Sequence, residues 1–247
     1  SGLFFLISIL FYVRYSAGEG SRKKLNYALS LISFILSIAG KPMAVTLPAV
    51  LLIIDFWPLR RFQGRLQGRL GIVKVAVLEK LPFFALSAVA AIITIGAQKS
   101  GMASVDMLPM TLRFFSAGRA YIFYLYKLVF PVSLAPFYPL EVRFDVYSFE
   151  YLGGLGAFAA ITIATVILIK KKPALFSAWA YFVVTLLPVV GILQAGAQSA
   201  ADRYTYLPSI GLFILAGAGV GSLVQRAGKV RSRLVFAAII IVAAVLL

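Results

Sequence analysis

The sequence predicts an all-α membrane protein with several spans. Hydrophobic residues make up 62% of the 247 residues, whereas soluble domains are about half apolar. Apolar runs close to the length of a membrane-crossing helix recur from one end of the chain to the other. Short polar and basic segments separate them, as in a polytopic helical protein.

Eight apolar runs predict about eight transmembrane helices, of which the first and the last are truncated. The runs cover residues 3–13, 25–40, 43–59, 81–97, 151–169, 174–193 and 207–224, and the eighth begins near Leu234. The chain starts and stops inside apolar sequence, so we expect it to be part of a longer protein, cut at both ends of a single transmembrane domain.

Basic residues predict the orientation. The chain has 24 Lys and Arg against 8 Asp and Glu, for a net charge of +16. In a soluble protein this charge would suggest a nucleic-acid partner, but the positive-inside rule explains it better. We therefore place four basic loops in the cytoplasm, in a bacterial inner membrane or an endoplasmic reticulum. They are residues 14–24, 60–80, 170–172 and 226–233.

The segment 98–150 then has both ends on the outer side. Within it, Arg113, Ser116, Arg119 or Ala120, Tyr124 and Lys127 recur at steps of three and four, which places them on one face of a helix over 111–130. We interpret this helix as amphipathic and lying on the outer surface. The alternative is a membrane span paired with a second, proline-broken span over 132–148.

Composition excludes several kinds of chemistry. The chain has no cysteine and no histidine, which excludes disulfides, His-ligated zinc and Ser-His or Cys-His catalytic pairs. The sequence nominates no metal ligand and carries no Walker or dinucleotide-binding motif. Asp55, at the cytoplasmic end of its run, is not nominated as catalytic, because an aromatic belt and an exit proline account for its surroundings.

Three unusual clusters fall on the predicted outer face. They are residues 40–48, 131–140 and 202–206. Each has a structural and a functional reading. Lys41 sits in a tight turn or contacts a lipid phosphate; Tyr138 anchors the interface or lines a site; Asp202 and Arg203 cap a helix or bind a ligand, since arginine suits phosphate. In the first cluster, Pro48 inside the third run favours a kink.

These clusters resemble one family. The strings KPMAVTLP at 41–48, DFWPL at 55–59, LAPFYP at 134–139 and DRYTYLPS at 202–209 are similar, in order, to the membrane half of the transmembrane-and-tetratricopeptide-repeat proteins. That family includes O-mannosyltransferases and bacterial relatives, and its tetratricopeptide repeats would follow the last helix. The resemblance implies a GT-C glycosyltransferase with its active site on the outer face.

The resemblance also implies the reaction. A mannose-like sugar would pass from a polyprenyl-phosphate donor to a protein or glycan hydroxyl, with an acidic base that lies upstream of this chain. Because of that position the catalytic residue is unknown, and the piece alone would be inactive. By residue type, Arg203 and then Lys41 would bind the donor phosphate, and Asp202, Tyr204, Tyr206 and Tyr138 would line the site. Membrane lipids would be further partners, and a divalent metal requirement stays open.

Two other functions compete with this one. Kinked helices with Pro and Gly also suit a transporter or lipid flippase, although the charges fall at the ends of the apolar runs. A non-catalytic membrane anchor is the third reading, and it predicts no binding of lipid phosphate.

Overall fold

The computed structural model describes residues 1–18, 20–62, 74–98, 110–136, 138–139, 148–191 and 198–226. Within these ranges the protein is all-α, as the sequence predicts. The helices are α1 Gly2–Ala17, α2 Ser21–Gly40, α3 Leu47–Phe56, α4 Leu81–Gln98, α5 Met110–Val129, α6 Phe149–Ile167, α7 Pro173–Leu186 and α8 Ser209–Arg226. The predicted eighth run and most of the predicted basic loop 226–233 lie outside the described residues.

Short irregular elements join the helices. Two 3-10 turns cover Pro42–Thr46 and Asp202–Tyr204. Two very short strands, β1 Tyr138–Pro139 and β2 Gln198–Ala200, pair antiparallel, with Tyr138 opposite Ala200. This ladder is small, but it joins two of the segments that the sequence singles out.

Helix is present inside two of the predicted cytoplasmic loops. Only residues 18–20 separate α1 from α2, so Arg14 lies in α1 and the basic residues 22–24 lie in the first turn of α2. Residues 74–78 of the predicted loop 60–80 are helical and lead into α4. Hydropathy marks only the apolar part of a helix, whereas backbone hydrogen bonding continues through charged turns that reach the helix end.

The segment around Pro48 also differs from the prediction. The expected kinked helix is instead a 3-10 turn followed by a new helix, and Pro48 occupies the first turn of α3. A proline is well tolerated there because the first backbone N–H groups of a helix have no partner within the helix.

Within the described ranges, two helical stretches are long and apolar enough to cross a membrane, Lys74–Ala97 and Phe149–Ile167. Only 22% and 17% of their most apolar windows are buried inside the protein. Shorter apolar helices are Gly2–Ala17, Pro42–Phe56, Pro173–Leu186 and Ser209–Gln225. Membrane character is thus supported at the level of two helices, and the eight-span arrangement stays a prediction.

The chain divides into two compact units. The first contains α1 to α4, and the second contains α5, α6, most of α7 and α8. In the first unit α1 packs along α2, where the Ser8 and Ser30 hydroxyls each donate to the other residue's carbonyl oxygen at 2.8 Å. Serines at a helix–helix contact satisfy each other and let the backbones approach closely.

The second unit is built on the contact between α5 and α6. A Cβ atom on Gly118 would lie 2.9 Å from the Leu155 Cα, and one on Gly154 would lie 2.8 Å from the Arg119 Cα. The rings of Tyr121 and Phe158 stack with centroids 4.7 Å apart beside these glycines. The two helices therefore touch backbone to backbone, which only glycine permits at these positions.

Candidate functional site

The segment from β2 to the start of α8 forms a tightly bonded loop. It runs through a 3-10 turn at Asp202–Tyr204. The Thr205 hydroxyl donates to the Asp202 carbonyl oxygen at 2.7 Å, and the Ser209 hydroxyl donates to the Tyr206 carbonyl oxygen at 3.0 Å. Threonine and serine hydroxyls often stabilise turns in this way. The polar string of the sequence is therefore an ordered entry to an apolar helix.

The Asp202 side chain joins this loop to the segment around Tyr138. Its Oδ2 atom accepts hydrogen bonds from the Ala135 N–H at 2.6 Å and from the Tyr138 hydroxyl at 2.8 Å. The Asp202 N–H donates back to the Ala135 carbonyl oxygen at 3.3 Å. Two of the three predicted outer clusters therefore meet. Their sequence separation of 67 residues gave no indication of this contact.

Tyr138 is a hydrogen-bond donor in this arrangement. Burial and the Asp202 carboxylate, which accepts its hydrogen bond, raise the pKa of the Tyr138 hydroxyl. The phenol therefore stays protonated at neutral pH and continues to donate. The sequence nominated Tyr138 as a site-lining residue, and in the structure its hydroxyl is hydrogen-bonded to Asp202.

The predicted polar face of α5 meets the same loops. Tyr124 is fully buried, and its hydroxyl accepts a hydrogen bond from the Ala201 N–H at 3.0 Å. The Lys127 ammonium donates to the Ser133 carbonyl oxygen at 3.1 Å and lies 5.7 Å from the centre of the Tyr138 ring. Part of this face therefore packs against protein. Periodicity identifies a polar face but cannot say what covers it. Whether α5 lies on the membrane or crosses it stays a prediction.

The two nominated phosphate contacts lie in different units. Arg203 belongs to the second unit, is exposed, and has its guanidinium 5.4 Å from the centre of the Tyr204 ring. Tyr206 beside it is 49% exposed. Lys41 belongs to the first unit, where it is half-buried and ends α2. The phosphate-binding roles of Arg203 and Lys41 stay predictions.

A second polar cluster, which we call the Asp55 cluster, was not nominated from the sequence. It contains Tyr12, Asp55, Arg61, Glu79 and Lys80. The Asp55 and Lys80 side chains are fully buried and form an ion pair with each other. The Tyr12 hydroxyl lies 2.9 Å from Asp55 Oδ2 and accepts hydrogen bonds from Lys80 at 2.6 Å and from Arg61 at 2.8 Å.

The charges of the Asp55 cluster are balanced. Arg61 donates to Glu79 at 2.8 Å, and Lys80 also donates to the Ala76 carbonyl oxygen at 2.8 Å, so all three ammonium protons have an acceptor. Burial lowers the pKa of Arg61, but the hydrogen bond to Glu79 and the charge of Asp55 outweigh it and raise that pKa above its ordinary value. Two acids face two bases, so the cluster leaves no charge for a ligand to neutralise.

One signal in the sequence could have revealed the Asp55 cluster. An ionisable residue inside an apolar run is expensive to desolvate and needs a partner. Asp55 meets that description, and the bases at Arg61 and Lys80 follow it in the chain. The prediction places Lys80 in a cytoplasmic loop, and it did not anticipate that this side chain is fully buried and paired with Asp55. The side of the membrane on which the loop lies stays a prediction. The pairing was missed because the many basic residues of loop 60–80 were interpreted together, as the sign of a cytoplasmic loop.

Comparison with known proteins assigns no family. No protein-family model matches the chain, and neither the curated proteins nor the solved structures contain a significant match. Among the described residues, no group of three or more His, Cys, Asp or Glu could hold a metal ion. The function therefore has to be argued from the two clusters and their position in the fold.

Proposed function

We propose that the protein is a membrane glycosyltransferase of the GT-C type. It transfers a mannose-like sugar from a polyprenyl-phosphate donor to a protein or glycan hydroxyl on the outer face of the membrane. The observation that carries the proposal is the loop between β2 and α8, which contains Arg203. There Arg203, an exposed residue, lies on a turn that the hydrogen bond between Asp202 and Tyr138 holds in place.

The chemistry of this loop suits a lipid phosphate. A guanidinium offers several donors in a fixed plane and binds phosphate through paired hydrogen bonds. Arg203 precedes the apolar helix α8 by only a few residues, which is where the headgroup of a membrane-embedded lipid would lie. When the acceptor hydroxyl attacks the anomeric carbon, the bond from that carbon to the phosphate oxygen breaks. A cation at the phosphate stabilises the charge that develops there.

The apolar helices support the membrane part of the proposal. Ile92 is 70% exposed and Ile167 is 73% exposed, on the two helices that are long enough to cross. Large exposed apolar surfaces are unfavourable in water and favourable against lipid tails. We propose that α4 and α6 cross the bilayer and that the basic turn 170–172 is cytoplasmic.

The orientation of α6 is testable because the chain has no cysteine. We expect a Ser148→Cys variant to react with a membrane-impermeant maleimide added from outside. A Lys171→Cys variant should react only after the membrane is permeabilised. The two positions flank the 19-residue helix α6, so equal labelling of both from outside would contradict a crossing.

The phosphate role of Arg203 is tested by substitution. We expect Arg203→Ala in the full-length protein to weaken binding of polyprenyl-phosphate mannose roughly 10- to 100-fold, because hydrogen bonds between charged groups contribute about 1.5–3 kcal/mol. Transfer of radiolabelled mannose should fall with it. Binding and transfer are measured with the protein in nanodiscs, together with a panel of other lipid-linked sugars.

Two variants serve as controls for Arg203. Arg203→Lys keeps the charge and loses the planar fork, so it should retain part of the affinity. Lys171→Ala removes a cation that follows the C-terminal end of α6. Because the proposal places this residue on the cytoplasmic side, the substitution should change neither binding nor transfer. Unchanged donor affinity and turnover in Arg203→Ala would refute the phosphate role. Silence of the natural protein towards every lipid-linked sugar would favour a transporter or an anchor.

A further inference from the structure

The two carboxylate oxygens of Asp202 have different surroundings. Oδ2 accepts both hydrogen bonds that the described residues supply, from Ala135 and Tyr138. Oδ1 is shielded from solvent and has no hydrogen-bond partner among the residues that the structure describes. Among the described residues, two serine hydroxyls share this condition, those of Ser87 and Ser177. Of the three atoms only the Asp202 oxygen belongs to an acid.

An unpartnered carboxylate oxygen is unusual in a folded protein. Buried polar atoms nearly always have a hydrogen-bond partner, and leaving a charged one without a partner is costly. Rotation about the Cβ–Cγ bond does not give both oxygens of Asp202 a partner. It only exchanges the two oxygens, and both donors still reach whichever oxygen faces Ala135 and Tyr138. One acceptor position is left over in both cases. A purely structural role explains the position at Oδ2 and leaves the position at Oδ1 unexplained.

The position of this oxygen suggests what fills it. Asp202 and Arg203 are adjacent in the same 3-10 turn, just as the sugar and the phosphate are adjacent in the donor. The Asp202 residue as a whole is only half-buried, and the exposed Tyr206 follows in the same loop. Arg203 and Asp202 are therefore neighbours on one short turn, so a ligand large enough to carry both a phosphate and a sugar could contact both residues.

We propose that Asp202 Oδ1 accepts a hydrogen bond from a hydroxyl group of the donor sugar and so selects for a sugar on the lipid phosphate. This inference rests on the proposed function and adds a second contact to it. Arg203 binds the phosphate, and Asp202 recognises the sugar. Because Oδ1 is covered, binding involves a small shift of the side chains around it. No proton is transferred in this step, because the sugar hydroxyl only donates a hydrogen bond to Oδ1.

Asp202→Asn is the matched test. The amide oxygen can take the place of Oδ2 and keep the hydrogen bonds from Ala135 and Tyr138. The amide nitrogen then takes the place of Oδ1 and offers a donor where an acceptor stood. The two ligands to compare, with the full-length protein in nanodiscs, are polyprenyl-phosphate mannose and polyprenyl phosphate without a sugar.

We expect Asp202→Asn to weaken binding of the sugar-bearing lipid roughly 10- to 100-fold and to leave binding of the sugar-free phosphate unchanged. Arg203→Ala should weaken both. A series of monodeoxy mannose donors then identifies the hydroxyl. The analogue that lacks it should bind more weakly than the parent donor to the natural protein and equally to Asp202→Asn.

Other outcomes separate this inference from the proposed function. If both lipids bind and Asp202→Asn changes neither or both equally, Asp202 has no role in sugar recognition and the phosphate site stands. If neither lipid binds the natural protein, the proposed function itself fails. Tyr138→Phe, which removes one of the two donors to Oδ2, shows what loosening the loop does. A loss of sugar binding as large in Tyr138→Phe as in Asp202→Asn would assign Asp202 a structural role and overturn the inference.

Discussion

Replacing Asp55 with alanine is expected to destabilise the protein by about 3–5 kcal/mol, because it leaves a fully buried Lys80 without its counter-ion. The loss is larger than that of an average core substitution, since the ammonium keeps the full cost of desolvation. It is measured as the change in the free energy of unfolding in detergent micelles, with denaturant as the variable.

The double variant Asp55→Leu with Lys80→Met distinguishes a charge effect from a packing effect. Removing both charges leaves the Arg61–Glu79 pair at 2.8 Å intact, and buried pairs replaced together by apolar residues are often close to neutral. We therefore expect the double variant to recover most of the stability. Glu150→Ala breaks a pair whose acid is 68% exposed, and such a pair contributes at most about 1 kcal/mol. An equal loss in all three variants would contradict this view of the Asp55 cluster.

Replacing Gly154 with alanine is expected to force α5 and α6 apart. The new methyl group would lie 2.8 Å from the Arg119 Cα, which is backbone and has no flexible end to move aside. Overpacking of this kind costs about 1–3 kcal/mol or more. The same shift would disturb the stacked rings of Tyr121 and Phe158. Denaturant unfolding gives the stability, and near-ultraviolet circular dichroism reports the rings.

The neighbouring Gly156 provides the matched control for Gly154. It lies in the same helix, and a Cβ atom there would meet nothing within 4 Å. Gly156→Ala should be neutral or should stabilise the protein by up to about 1 kcal/mol, since alanine favours the helix more than glycine does. Equal effects of the two substitutions would mean that helix propensity, and not close packing, sets the result.

The two acidic residues at the centre of the clusters differ in one physical respect. Asp55 is surrounded by Tyr12, Arg61 and Lys80, which satisfy both of its oxygens. Among the described residues, Asp202 has donors on one oxygen and none on the other. A saturated cluster holds helices together, whereas an unpaired acceptor can still bind a ligand once the side chains that cover it shift. Because of this contrast we assign recognition of the sugar to Asp202, in the loop between β2 and α8, and stabilisation of the fold to the Asp55 cluster.

Much of the secondary structure follows from the sequence alone. The apolar run at 151–169 and the amphipathic pattern at 111–130 each differ from the observed helix, Phe149–Ile167 or Met110–Val129, by two residues or fewer at either end. A backbone that must avoid unpaired N–H and C=O groups in an apolar environment has few alternatives to a helix. Whether a segment forms a helix therefore depends mainly on its own residues, and the hydropathy pattern of the sequence indicates it.

The partners of the charged residues were decided only by the tertiary structure. Asp202 pairs with Tyr138 across 64 residues, and Asp55 pairs with Tyr12 across 43. In the sequence, Asp202 is one acid in a polar string and Asp55 is one acid before an aromatic belt. Hydropathy assigns each residue a preference for water or for lipid. Whether a carboxylate is saturated or left with an open position depends on donors brought from distant parts of the chain, and only the packing of the helices brings them there.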